Sequence, residues 1–164
     1  MALAYLQLRL REAATQSALS AFNEQVRRRN AGTFQREPAA EKAILKHWPT
    51  AYRYCKEILG RPWPEFEQSM TAAPPSTDTR DARAAFNYAH YIVKDRIEKI
   101  EKHIAPDAMA ALDYAKEVLC RPWNKADDQY EIATRSINQH PTALRSYQME
   151  MPPSRRSTAL ELTP

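Results

Sequence analysis

Apolar residues recur along this chain with helical period, and one stripe comes back. Ala51, Tyr54, Cys55, Ile58 and Leu59 fall at i, i+3, i+4, i+7 and i+8, which puts them on one side of an α-helix. Ala111, Tyr114, Ala115, Val118 and Leu119 take the same register, while Lys56, Glu57, Lys116 and Glu117 lie opposite, toward water. Upstream, Leu3, Leu6, Leu10, Ala14, Ala18, Phe22 and Val26 trace a stripe that predicts a long helix over residues 2–29. A short helix is expected over 39–48, after Pro38. Residues 149–164 contain Pro152, Pro153, Arg155 and Arg156 without periodicity, which predicts an extended tail.

The returning stripe belongs to a longer match. Residues 51–63 read AYRYCKEILGRPW and residues 111–123 read ALDYAKEVLCRPW, identical at eight of 13 positions. Between them, AFNYAHYIVKDRI at 85–97 keeps Ala85, Tyr88, Ala89, Ile92, Val93 and Arg96 in the pattern. A partial fourth copy begins at Pro141, where PTALRSY echoes PTAYRYC. The anchoring alanines Ala51, Ala85, Ala111 and Ala143 are 34, 26 and 32 residues apart, a period typical of stacked helical repeats. Arg-Pro-Trp should end the helix in two copies, because proline disfavours helical backbone in the residue before it and lacks an N–H. Trp63 and Trp123 then fold back onto the stripe.

After each Arg-Pro-Trp a shorter helix is expected, Pro64–Met70 in one copy and Asn124–Tyr130 in the other, with Glu67 and Asp127 in matching places. The middle copy has Arg96-Ile97 there instead, so residues 79–103 are expected to run as one nearly continuous helix. Its inner face would carry Ile92, Arg96, Ile97, Ile100 and Ile104. The run AAPPSTDT at 72–79 is the clearest break, with Asp78 or Thr79 as N-cap, and Asn138–His140 is another. Pro49, Pro106 and Pro141 suit first helical turns.

Composition narrows the class. Glycine occurs twice in 164 residues, at Gly32 and Gly60, against about 7% in an average protein. Phosphate-cradling loops and tight hairpins need glycine, so neither is expected. The fold class is therefore all-α: a stack of helical hairpins behind a long N-terminal helix. Its divisions are an N-terminal helical segment at 1–48, a repeat domain at 49–148 packed with it as one unit, and a tail at 149–164. Residues 1–50 hold eight cationic and four anionic side chains, whereas the rest is nearly balanced, so the body offers no continuous basic face. The chain has no apolar run long enough to cross a membrane, and Met1–Leu10 lacks the features of a signal peptide.

The pattern A-Y-x-Y-A-K-E-V-L-x-R-P-W followed by an acidic short helix resembles tandem repeats of about 30 residues in bacteriophage-encoded proteins, mostly of unknown function. The resemblance covers residues 49–147. It implies an all-helical stack and a phage origin, and carries over no catalytic residue.

The residues themselves point to little chemistry. His47, His90, His103 and His140 show no zinc spacing, and neither a metal nor a cofactor is expected. Asp127-Asp128 and Glu98/Glu101 read as solvated carboxylates on helix faces rather than an acid–base pair. Cys55 and Cys120 read as buried free thiols. The structural repeat core is expected at Ala51, Tyr54, Ile58, Leu59, Trp63, Tyr88, Ile92, Ala111, Tyr114, Val118, Leu119 and Trp123. One charge cluster remains, Arg27-Arg28-Arg29, which either complements the helix dipole in water or, with Arg155 and Arg156, touches a partner or phosphate. The expectation is a non-enzymatic interaction scaffold of the host cytoplasm or the virion. Its partner would be a host or virion protein or a second copy of the chain. The alternative is a nucleic-acid-binding accessory protein using the basic first third.

Overall fold

In the computed structural model, which describes residues 2–151, every regular element is a helix and no strand occurs among the described residues. α1 (Ala2–Asn30) spans the predicted helix, but its stripe is buried only at Ala18 and Phe22, half-buried at Ala14 and Val26, and exposed at Leu6 and Leu10. It stops where Gly32 takes a left-handed φ of 71°, with the Gly32 N–H returning to the Arg29 carbonyl at 3.0 Å and the Thr33 N–H to that of Arg28 at 2.9 Å. α2 (Pro38–Ile44) begins on its proline. α3 (Trp48–Arg53), with Pro49 in its first turn, widens into a π-helical turn at Tyr54–Leu59. α4 (Pro64–Ala72) follows, and the chain divides within it, at Ser69/Met70, into two compact units.

In the first unit α1 packs on α2, α3 and the π turn. Ala18 and Phe22 of α1 join Ile44, Trp48, Ala51, Tyr54, Cys55, Trp63 and Phe66 in its core. At 1.5 Å per residue α1 is about 43 Å long, and among its described side chains the buried ones, Ala18, Phe22 and Gln25, lie in its second half. Tyr5, Leu6 and Leu10 are 59%, 55% and 62% exposed. Leu3, part of the predicted stripe, is outside the described side chains.

The first helix lying wholly in the second unit is α5 (Thr79–Asn87), whose N-cap Asp78 accepts the Arg80 N–H at 2.9 Å, as its sequence predicts. α5 passes into a second π turn, Tyr88–Val93. A 3-10 turn at Glu98–Ile100 leads to α6 (Glu101–Ile104), and then come α7 (Ala108–Glu117), α8 (Tyr130–Gln139) and α9 (Pro141–Glu150). α7 packs against α5, α6, α8 and α9.

Four expectations change here. Residues 79–103 are not one helix: Lys94 adopts φ 60°, its N–H reaches back to the Ala89 carbonyl at 2.7 Å, and the chain turns out of the helix. Asn124–Tyr130 is a set of turns rather than a helix, because Asn124 Oδ1 takes the Ala126 N–H (2.9 Å) and Asp127 takes that of Asn124 (2.8 Å), locally satisfying groups a helix would use. Pro106 precedes α7 instead of opening it, and Asp107 caps that helix by accepting the Ala110 N–H at 2.8 Å. Helix α9 runs through Glu150, past the predicted start of the tail, and Met151 is buried.

Gly60 and Lys94, which cap their π turns, and Cys120, three residues past the end of α7, share the same left-handed conformation, with φ of 64°, 60° and 51°. Each stands nine residues after its anchoring alanine. Only Gly60 adopts it without the cost of a Cβ, which is of order 1 kcal/mol or more at the other two.

Candidate functional site

The groups with most chemical potential are two buried clusters, one in each unit. In the first, Glu41 on α2 is nearly enclosed. Arg36 grips it as a fork, Nε to Oε1 at 2.6 Å and Nη2 to Oε2 at 3.0 Å, while the Tyr54 hydroxyl donates to Oε1 at 2.9 Å. The hydrogen bond to Glu41 is the main reason Arg36 binds its proton more tightly than usual. Tyr54 lies with its ring centroid 5.1 Å from that of Trp63, and burial first, then Glu41, pushes its hydroxyl well above the ordinary phenol range.

The second unit holds a larger version. Arg96 forks onto Glu101, Nε to Oε1 at 2.7 Å and Nη2 to Oε2 at 3.2 Å, and the Tyr114 hydroxyl donates to Glu101 Oε1 at 3.2 Å. That hydroxyl also accepts the Ile97 N–H at 3.2 Å, which pins the strand of chain after Lys94. Tyr114 stacks on Trp123 at 5.6 Å, and Trp123 Nε1 donates to the Ala111 carbonyl at 3.0 Å. Arg96 reaches Asp127 as well, at 3.1 Å, and Arg121 forks onto Asp127 at 2.7 and 2.8 Å. Burial opposes the ionised form of Asp127, but the Arg121 fork, the Asn124 N–H and the two guanidinium charges outweigh it, so its carboxyl titrates below the usual range.

The two clusters share their spacing. Arg36, Glu41, Tyr54 and Trp63 correspond one for one, 60 residues on, to Arg96, Glu101, Tyr114 and Trp123, and Lys42/Lys102 and Ile44/Ile104 extend the match. The comparison of 51–63 with 111–123 stops short of these upstream residues, although carrying the same offset back fifteen positions finds them. In both clusters the carboxylate is held by an arginine and a tyrosine that use both of its oxygens. Such a group is built to hold chain segments together. Glu101 and Asp127, 1% and 4% exposed, are thus not the solvated carboxylates expected; their guanidinium partners compensate for the lost water.

The other expected site residues distribute as follows. Arg27 forks onto Glu24 at 2.8 Å with both nitrogens, and Arg28 bridges Glu24 (2.8 Å) and Glu37 (3.0 Å). These bonds, that from Arg27 first, hold the Glu24 carboxyl down to about 2. Arg29 is exposed. Arg155 and Arg156 lie outside the described residues. Of the expected core, Ala51, Tyr54, Ile58, Trp63, Tyr88, Ala111, Tyr114 and Trp123 are buried, whereas Leu59, Ile92, Val118 and Leu119 are half-buried. These four occupy the last turn, where i→i+5 bonding or the end of the α-helix at Glu117 rotates side chains off the stripe.

The thiols also part ways. Cys55 is buried, and desolvation pushes it up to about 12; Cys120, expected inside, is exposed at its left-handed position. A thiol reagent at neutral pH should therefore label one cysteine in the native protein and two after denaturation. Rapid labelling of both in the native state would contradict this burial.

Among the described residues no helix is long and apolar enough to cross a membrane, and no group of three or more His, Cys, Asp or Glu is placed to hold a metal ion. No family model, curated protein or solved structure matches the chain.

Proposed function

We propose that this protein is a non-enzymatic helical-repeat scaffold that binds another protein. A phage origin, with a role in the virion or against a host protein, follows from the resemblance of the Arg-Pro-Trp repeats. The observation that carries the reading is the exposed apolar surface among the described side chains near the start of α1, where Tyr5, Leu6 and Leu10 are each more than half exposed. Two further points support it. The buried carboxylates Glu41, Glu101 and Asp127 are bound by arginines of the chain, and the Arg27/Arg28 charge is offset by Glu24 and Glu37. A cluster already bound to carboxylates exchanges one anion for another when it meets phosphate, and gains little.

The competing nucleic-acid reading is tested by anisotropy of labelled single- and double-stranded DNA and RNA over a salt series. The scaffold reading expects no saturation at about 10 µM protein near physiological salt. Micromolar or tighter binding that weakens by about 10³-fold between roughly 50 and 200 mM salt would establish the alternative.

A further inference from the structure

His103 is fully buried in the second unit, and both of its ring nitrogens are engaged by backbone. Nε2 stands 2.7 Å from the Met70 carbonyl oxygen and Nδ1 3.1 Å from the Ser76 amide nitrogen. A carbonyl can only accept and an amide N–H can only donate. The ring must therefore carry its proton on Nε2 and present a lone pair at Nδ1. Beside it, Lys102 Nζ donates to the carbonyls of Thr71 (2.8 Å) and Ala73 (2.6 Å). Two consecutive side chains of the short helix α6 thus fasten the connection between α4 and α5. The fastening continues through Ser76, whose hydroxyl donates to Asp81 at 2.8 Å and accepts the Asp78 N–H at 3.1 Å.

We infer that His103 is an acid-sensitive latch: the neutral ring holds the 71–77 segment against α6, and protonation of Nδ1 releases it. An imidazolium has N–H on both sides, so Nδ1 would confront the Ser76 N–H donor to donor, and one of them must leave. The surrounding charges are mixed. Burial, and then Lys102, disfavour the cation, while the Met70 carbonyl and Asp81 favour it, and the balance lies below the ordinary value. The other charged groups on the neighbouring elements are paired elsewhere or exposed: Arg80 of α5 binds its cap Asp78, Arg83 of α5 binds Asp113 of α7, Glu98 of the 3-10 turn and Glu101 of α6 bind Arg96, Asp107 accepts the Ala110 N–H, Lys116 of α7 binds Glu150, and Lys99 and Glu117 are exposed.

The direction follows from linkage. The released ring takes up a proton near the ordinary imidazole value of about 6.5, and the latched ring only at lower pH. The latch is therefore intact above that value, weakens as pH falls through it, and stops weakening once the latched ring itself protonates.

Amide exchange by NMR tests this on the full chain between pH 7.5 and 4.5. The Ser76 amide should lose protection as pH falls below about 6.5, by up to tenfold per pH unit, while the Ala89 and Ala115 amides hold theirs. In His103→Gln, whose side chain offers one donor and one acceptor that do not titrate, Ser76 protection should be independent of pH. Should that variant fail to fold, the wild-type ring nitrogens decide alone, with Nδ1 unprotonated and Nε2 protonated at pH 7.5. Flat Ser76 protection in the wild type, the same pH dependence in His103→Gln, or a ring protonated on Nδ1 at pH 7.5 would overturn the latch.

Discussion

Glu101→Ala should destabilise the protein by about 3–5 kcal/mol, the range for removing one partner of a buried ion pair. The change removes the acceptor of the Arg96 fork and of the Tyr114 hydroxyl together, at a side chain 1% exposed. Arg96 keeps Asp127 at 3.1 Å, which places the loss at the lower end of that range. Against a typical total of about 5–15 kcal/mol, even the lower figure shifts a urea midpoint plainly. Glu98→Ala is the internal control. Its carboxylate meets the same arginine from the solvent side, 71% exposed, and should change stability by no more than about 0.5 kcal/mol. Equal, small effects for the two would mean that Glu101 is solvated after all.

Tyr114→Ala should cost about 3–5 kcal/mol, as large aromatic deletions from cores do. The ring fills fully buried space against Trp123, and its hydroxyl serves both Glu101 and the Ile97 N–H. Tyr114→Phe separates these contributions. It keeps the ring and leaves a half-buried amide without its acceptor, for about 1–3 kcal/mol. Tyr54→Phe, which loses the bond to Glu41, should cost about 1 kcal/mol. Chemical denaturation of the three variants checks the order Tyr114→Ala, Tyr114→Phe, Tyr54→Phe. A Tyr114→Ala protein of native stability would place this tyrosine on a surface and turn the proposed core inside out.

The helices were legible because their apolar positions recur with helical period and because the scarce glycines are informative. Both Gly32 and Gly60 sit at positive φ just past a helix. The break at Lys94 carries no such mark, since a lysine in the left-handed region gives no signal in composition. Two bonds make that turn favourable: the local fork from Arg96 to Glu101 and the long-range bond from the Ile97 N–H to Tyr114 fix the chain beyond it. The burial of Glu101 and Asp127 was hidden as well. A carboxylate on a short amphipathic stretch looks solvated even with Arg96 five and Arg121 six residues away, because its burial comes from the helices packed over it. The 60-residue correspondence of Arg36/Glu41 with Arg96/Glu101 was the signal that could have exposed it. Asn124 misled differently. It stands where Pro64 opens α4, but its side chain closes a turn with Ala126 instead.

As proposed, the protein acts by holding another protein through apolar surface, with its buried charges serving the fold. Quantitative affinity capture from the producing cells, after nuclease treatment, tests this directly when wild type is compared with the Leu6→Asp/Leu10→Asp double variant. Both substitutions fall on exposed turns of α1, so the variant should keep the wild-type urea midpoint within about 0.5 kcal/mol. A protein should be retained by the wild type in near-stoichiometric amount, insensitive to nuclease, and lost from the variant. Retention of the same protein by both, or a capture that disappears with nuclease, would contradict the proposal.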